Sequence, residues 1–178
     1  MTLQHGSVLI RRPEVNDSDA LYEIKNDPAV MSHLGGFHVG LSSADIKKWI
    51  EFHNSRTDEV VWIIADAESN QCIGHAGLYK IDYRIRSAEF AILVSKDRWG
   101  DGIGREVSER VISFGFLELN LSRISLTVLE GNARARALYE KIGFMKEGVF
   151  RRAQYKGGRY HHLVCYSILR EEFDADAP

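Results

Sequence analysis

Residues 88–104, AEFAILVSKDRWGDGIG, join a short apolar segment to a glycine-rich loop. Along 88–94, two sets of side chains alternate, as they do in a strand. Glycines at 100, 102 and 104 then precede a stretch in which apolar residues recur at helical spacing. The order strand, glycine loop, helix is typical of an anion site, because glycines admit a ligand close to the backbone and free amides at the helix start point toward it.

The loop by itself leaves other interpretations open. It is compatible with a simple turn, and a phosphate or pyrophosphate is the ligand that suits it best. No Gly-Lys-Ser/Thr follows, which argues against a Walker loop. The spacing also fails the dinucleotide fingerprint, and no further βαβ units follow to build a doubly wound sheet. A flavin or nicotinamide enzyme therefore stays an alternative that chromophore or NAD binding would reveal.

Working outward, the chain alternates between strand-like and helix-like patterns. Further strands are predicted at Ser7–Arg12, Val60–Ala65, Cys72–Ile81 and Arg123–Leu129, with two more within 144–169. Helices are predicted from Asn16 or Asp17 to Asn26, from Ser42 or Ser43 onward, and over Ala133–Ile142. The predicted fold class is α/β, a single domain with a mixed, mostly antiparallel central sheet flanked by about four helices.

Composition narrows the function classes. The chain has 178 residues, so one domain (1–178) is expected. Its formal net charge is −2, so it has no excess of basic residues to favour binding to nucleic acid. There is no run of 18 apolar residues for a transmembrane helix, and the N-terminal residues show no secretory signal. The chain has two cysteines, too few for a fold held together by a framework of disulfides. A cytoplasmic protein with no nucleic-acid or membrane partner is therefore expected.

A second motif follows the loop. Asn132 precedes Ala137-Leu138-Tyr139, and Gly143-Phe144 and Glu147-Gly148 complete the pattern. With both motifs in this order, the chain resembles the GNAT family of acetyl-CoA-dependent N-acetyltransferases, over Val8 to Phe173. The family's phosphate motif, Arg/Gln-x-x-Gly-x-Gly/Ala, falls on Trp99, Gly102 and Gly104, so the first position departs from the consensus.

The resemblance implies a coenzyme site. Acetyl-CoA, as co-substrate and without a metal, would lie between two splayed parallel strands, Ala88–Val94 and Arg123–Leu129. The implied contacts are the backbone of Leu93 and Val94 for the pantetheine, the amides of Trp99, Gly100, Asp101, Gly102, Ile103, Gly104 and Arg105 for the pyrophosphate, and Asn132 for the pantetheine arm. One arginine of the Arg134, Arg136, Lys141 set could meet the 3′-phosphate, although this set also fits a solvated face.

Tyr139 matches the family's general-acid tyrosine. Amine attack on the thioester expels a thiolate, which a phenol within reach can protonate. The alternative is that Tyr139 only packs, because Ala135, Leu138, Tyr139 and Ile142 form one helical stripe.

Glu89 is the candidate base for the incoming amine. It is the one carboxylate in the apolar central strand, and a buried charge there would require a reason. The alternatives are amine binding or an ion pair with an arginine such as Arg123. Another polar residue of the central strands, His75, is interpreted as a core histidine whose hydrogen bonds are satisfied.

The acceptor amine is less well specified. The resemblance places Phe37 and His38 where relatives shape the acceptor pocket. Residues 31–43 contain no acid to hold a polycation, which favours a small amine such as an amino sugar. The alternatives are a polyamine, the N-terminus of a ribosomal protein, or a non-catalytic acyl-CoA sensor. An enzyme would act by direct attack in a ternary complex, and relatives suggest a homodimer or larger homo-oligomer.

Overall fold

The computed structural model describes residues 3–5, 7–35 and 39–173. Its strands are β1 (Leu3–His5), β2 (Val8–Arg11), β3 (Val60–Asp66), β4 (Cys72–Asp82), β5 (Ser87–Val94), β6 (Arg123–Leu129), β7 (Met145–Lys156) and β8 (Arg159–Leu169). Its α-helices are α1 (Ser18–Asn26), α2 (Pro28–Ser32), α3 (Ser43–Ser55), α4 (Ile103–Leu117) and α5 (Ala133–Ile142).

One eight-stranded sheet runs in the order β1-β2-β3-β4-β5-β6-β8-β7. Neighbouring strands are antiparallel except β5 and β6, which are parallel. That parallel pairing is confined to residues 87–89 against 123–125. The two strands are therefore splayed beyond Glu89, as predicted, and the second half of β5 has an open edge toward β6.

Helices cover both faces of the sheet. Apolar residues of α4 and α5 pack against one face in the larger core, which includes Val107 and Phe116. Residues of α1, α2 and α3, including Leu21 and Ile46, pack against the other face in a second core. Because a sheet with helices on both faces buries its central strands, β3 and β4 consist mostly of buried residues.

The predicted elements are confirmed, with two additions. The short strand β1 pairs with β2 at the sheet edge. The short helix α2 begins at Pro28, where Asp27 caps it by accepting hydrogen bonds from the amides of Ala29 and Val30. Proline suits this first helical position because its missing N–H is not needed there. Within the described ranges, no helix has the length and apolar character needed to cross a membrane.

Candidate functional site

A cavity of about 770 Å³ opens where β5 and β6 separate. Its wall is formed by the second half of β5, the end of β6, the glycine loop and start of α4, and one face of α5. Residues of α1, β4 and the segment after α2 complete it. The cavity thus joins the predicted anion site to the side of the sheet covered by α1–α3.

The glycine loop has the backbone that its sequence predicts. Gly100 and Gly102 have φ of 104° and 80°, a region that favours glycine, and Gly102 is the N-cap of α4. The first amides of α4 have no partner within the helix, and the helix dipole adds positive potential there. The predicted loop residues lie on the cavity wall except Asp101, whose carboxylate accepts a hydrogen bond from Arg98 Nε at 2.9 Å.

Trp99 fastens the loop to the end of β5. Its indole Nε1 donates to the Val94 carbonyl at 2.9 Å. The ring also lies 5.2 Å from His33, edge to face, and 5.5 Å from the Arg134 guanidinium. The tryptophan at the family's first motif position therefore positions the loop through packing, and it brings Arg134 to the cavity wall.

Asn132 lies on the wall with its side-chain amide already bonded. Oδ1 accepts from the Ala135 amide at 3.1 Å and so caps α5, while Nδ2 donates to the His33 carbonyl at 3.2 Å. The segment after α2 is held a second time by Lys156, whose Nζ donates to the carbonyls of Met31 and Leu34. These bonds attach the mouth of the cavity to α5 and β7.

Tyr139 is buried on the cavity wall. Its ring packs edge to face against Phe90 and Phe144, with centroids 6.4 Å and 5.7 Å away. Within the described residues no hydrogen bond is made by its hydroxyl, and burial raises its pKa to about 12. The phenol therefore stays protonated at neutral pH and can donate a proton into the cavity.

Glu89 does not have the setting that was expected. Its side chain is 52% exposed, it pairs with Lys80 at 3.0 Å, and it is not on the cavity wall. The prediction of a buried carboxylate is wrong, because the Glu89 face of β5 is open to solvent at this end of the strand. The alternative of an ion pair with Arg123 is also wrong, since Arg123 pairs with Glu147.

A polar cluster at the other end of the cavity was not predicted. Lys25 and His75 both lie on the wall, and Trp49 lies 4.8 Å from His75. His75 is buried as predicted, but neither ring nitrogen has a hydrogen-bond partner in the described structure. The expectation of a satisfied histidine is wrong, and burial lowers the pKa of His75 well below its usual value. A sequence signal for Lys25 exists, because it lies one helical turn after the buried Leu21 and next to Ile24 on α1.

The charged side chains of the described wall are all cationic. They are Lys25, Arg98, Arg105 and Arg134. Arginines near the loop suit the phosphates of a coenzyme, because guanidinium groups bind phosphate oxygens well. The predicted substrate residues Phe37 and His38 lie outside the described residues.

Comparison with known proteins identifies the family. The model of the Acetyltransferase (GNAT) domain matches residues 7–145. The chain belongs to the GNAT family. It is 29% identical to the spermidine N(1)-acetyltransferase of Vibrio cholerae, over 95% of this chain and 96% of that protein. It is also 35% identical to the putative ribosomal N-acetyltransferase YdaF of Bacillus subtilis, over 58% of this chain and 56% of that protein.

Solved structures agree with this assignment. The crystal structure of spermidine N-acetyltransferase from Vibrio cholerae, in complex with CoA and spermine, superposes with a TM-score of 0.87. The alignment covers 94% of this chain and 98% of that one, at 28% identity. This GNAT chain is thus an acetyl-CoA-dependent N-acetyltransferase.

Proposed function

We propose that this GNAT chain transfers the acetyl group of acetyl-CoA to a primary amine of a polyamine, by direct attack in a ternary complex. The observation that carries the reaction is one cavity that joins the glycine loop to Tyr139. The polyamine is supported by the Vibrio cholerae enzyme named above, which is similar over nearly the whole chain. The amino sugar favoured by the sequence has no comparable support among these relatives.

The coenzyme is proposed to occupy the half of the cavity next to α4. The open edge of β5 offers backbone groups of Leu93 and Val94 to the pantetheine. The loop amides from Trp99 to Arg105 would bind the pyrophosphate, with Asn132 at the mouth. Arg134, placed against Trp99, is the arginine proposed for the 3′-phosphate.

Tyr139 is the proposed general acid. Attack by the amine on the acetyl carbonyl breaks the carbon–sulfur bond, and the CoA thiolate takes the phenolic proton as it leaves. The tyrosine is suited to this step because it is protonated, buried and free of other hydrogen bonds within the described structure.

The charged residues of the wall also affect the protonation state of the attacking amine. Arg98 and Arg105 are paired with carboxylates, but no described carboxylate lies on the wall or pairs with Lys25. The surroundings of Lys25 therefore disfavour a second ammonium and favour the neutral, nucleophilic form of the amine. A dedicated base is less necessary in such a site. The proposal therefore requires that the remaining ammonium groups of a polyamine bind away from the described residues that line the cavity.

A protein N-terminus is the second candidate acceptor. The 35% identity to the putative ribosomal N-acetyltransferase supports it, as does a cavity without described carboxylates, because an α-amino group carries a single charge and a lower pKa than a polyamine nitrogen. The cytoplasmic location and a homo-oligomeric state also stay predictions.

Release of the CoA thiol tests these proposals. The protein is assayed with acetyl-CoA and, separately, spermidine, spermine, a nucleotide-linked amino sugar and a peptide with a free N-terminus. Polyamine acetylation requires the highest kcat/KM for spermidine or spermine. Preference for the peptide would replace it with the second candidate. CoA binding without turnover of any amine would favour the acyl-CoA sensor.

A further inference from the structure

Lys25 lies on the wall of the cavity. It is half-buried and lies on α1 one helical turn after the buried Leu21. Lysines are seldom buried without a counter-ion. In the described structure Lys25 has neither an ion pair nor a hydrogen bond, and its Nζ lies 4.3 Å from the ring centroid of Trp49. Among the described residues, the Trp49 ring is therefore the only partner of this amine.

Contacts link Lys25 to the strand that borders the open edge. The Trp49 ring contacts the Lys25 amine and also packs against His75, with ring centroids 4.8 Å apart. His75 lies directly across from Leu93 in the β4–β5 register. Lys25 and His75 share the wall with Leu93 and Tyr139. Lys25 and the proposed pantetheine site at Leu93 therefore line the same cavity.

The surroundings of Lys25 favour its neutral form. Burial lowers the pKa of Lys25 from its usual value to about 8. Within residues 7–35 and 39–173, the neighbouring titratable groups supply no negative charge: the Cys72 thiol has its pKa raised to about 12 by burial, and His75 is neutral. Near pH 8, about half of the Lys25 population is then a free amine, against less than roughly 1% for an exposed lysine.

We propose that Lys25 is a self-acetylation site, modified by the acetyl-CoA bound in the same molecule. The Nζ lone pair attacks the acetyl carbonyl carbon, the carbon–sulfur bond breaks and an amide forms. Nζ loses one proton, and the CoA thiolate gains one, so that free CoA thiol leaves. The inference rests on the proposed coenzyme site and is independent of which acceptor amine the enzyme uses.

Acetylation would change the acceptor half of the cavity. It removes the Lys25 charge and adds an acetyl group to the wall. We expect turnover of the acceptor amine to fall as Lys25 becomes acetylated, so the modification would limit the enzyme when acetyl-CoA is abundant and acceptor is scarce.

The test uses acetyl-CoA with a deuterated acetyl group, which distinguishes new label from acetylation acquired during expression. The full-length protein is incubated at pH 8 without acceptor, and label at each lysine is measured by peptide mass spectrometry. Lys47 and Lys48, exposed on α3, are internal references for uncatalysed acetylation. Lys25 is expected to be labelled at least tenfold faster than either, at a rate that saturates with acetyl-CoA and does not depend on protein concentration.

Two comparisons make the result decisive. Excess CoA should suppress labelling of Lys25 and leave Lys47 unchanged, and Lys25→Arg should remove the fast label while Lys47→Arg keeps it. Labelling of Lys25 at the rate of Lys47, or no suppression by CoA, would overturn the inference. A thermal shift with CoA separates the two proposals: binding with unlabelled Lys25 contradicts self-acetylation alone, whereas no binding contradicts the coenzyme site as well.

Discussion

The two halves of the cavity are built in different ways. The loop half is made by consecutive residues, 99–105, whose backbone amides and glycines carry its properties. The opposite half is made by side chains from separate elements, with Lys25 on α1, Trp49 on α3 and His75 on β4. The first half is readable from a local motif, and the second exists only after the helices pack on the sheet. Substitutions in the two halves should therefore differ in kind.

Tyr139→Phe should have the largest effect, because Tyr139 is the proposed proton donor to the leaving thiolate. We expect turnover to fall about 10²–10⁴-fold with little change in CoA binding, since the substitution removes only the hydroxyl and retains the contacts with Phe90 and Phe144. Steady-state kinetics with a CoA titration measures this. Tyr160→Phe, at the exposed start of β8, is the matched control. Turnover within twofold of wild type would make Tyr139 a packing residue.

Gly102→Val should damage the loop half selectively. At φ 80° a β-branched residue is strained even though an added Cβ would meet nothing within 4 Å, so the loop amides must reorient. The Kd for CoA should rise more than about tenfold, or about 1.4 kcal/mol, by calorimetry. Gly148→Val on β7, where a Cβ is equally unobstructed and φ is not positive, is the control. Unchanged CoA binding would mean that the loop is only a turn.

Lys25→Met should instead increase the free energy of unfolding, by an amount that depends on pH. Folding lowers the pKa of Lys25 from 10.5 to about 8, so the unfolded chain binds the proton more tightly. The destabilisation is fully present below pH 8 and disappears as pH rises toward 10.5. The variant should be more stable than wild type at pH 7, by on the order of 1 kcal/mol after loss of the contact with Trp49, and this gain should fade by pH 10. Urea unfolding across this range would show the opposite trend, or none, if Lys25 were stably paired.

Glu89→Gln should have the smallest effect. The carboxylate is half exposed, paired with Lys80 and away from the cavity wall, so we expect kcat/KM within about twofold of wild type at every pH. Lys80→Gln, which removes the other partner, is the matched variant. A loss confined to low pH that recovers at high pH would restore Glu89 as the base, acting through water.

Local sequence patterns are sufficient to predict the succession of strands and helices along the chain, the loop at 99–104 and the end of α5 at Gly143. These depend on local periodicity and on backbone conformations that glycine allows, with φ of 109° at Gly143 as an example. The position of Tyr139 is also predictable from the sequence, through the motif that surrounds it. Each of these features is encoded within a few consecutive residues.

Which polar side chains contact one another depends on the tertiary structure. An alternating strand pattern shows that Glu89 and Ala91 share a face, but not that this face is open to solvent at residue 89. Nor does it show that Arg123 pairs with Glu147, or that Lys25, Trp49 and His75, distant in sequence, meet beside the splayed strands. The physical reason is that burial and charge pairing depend on which elements cover a residue, and that is set by packing across the whole sheet.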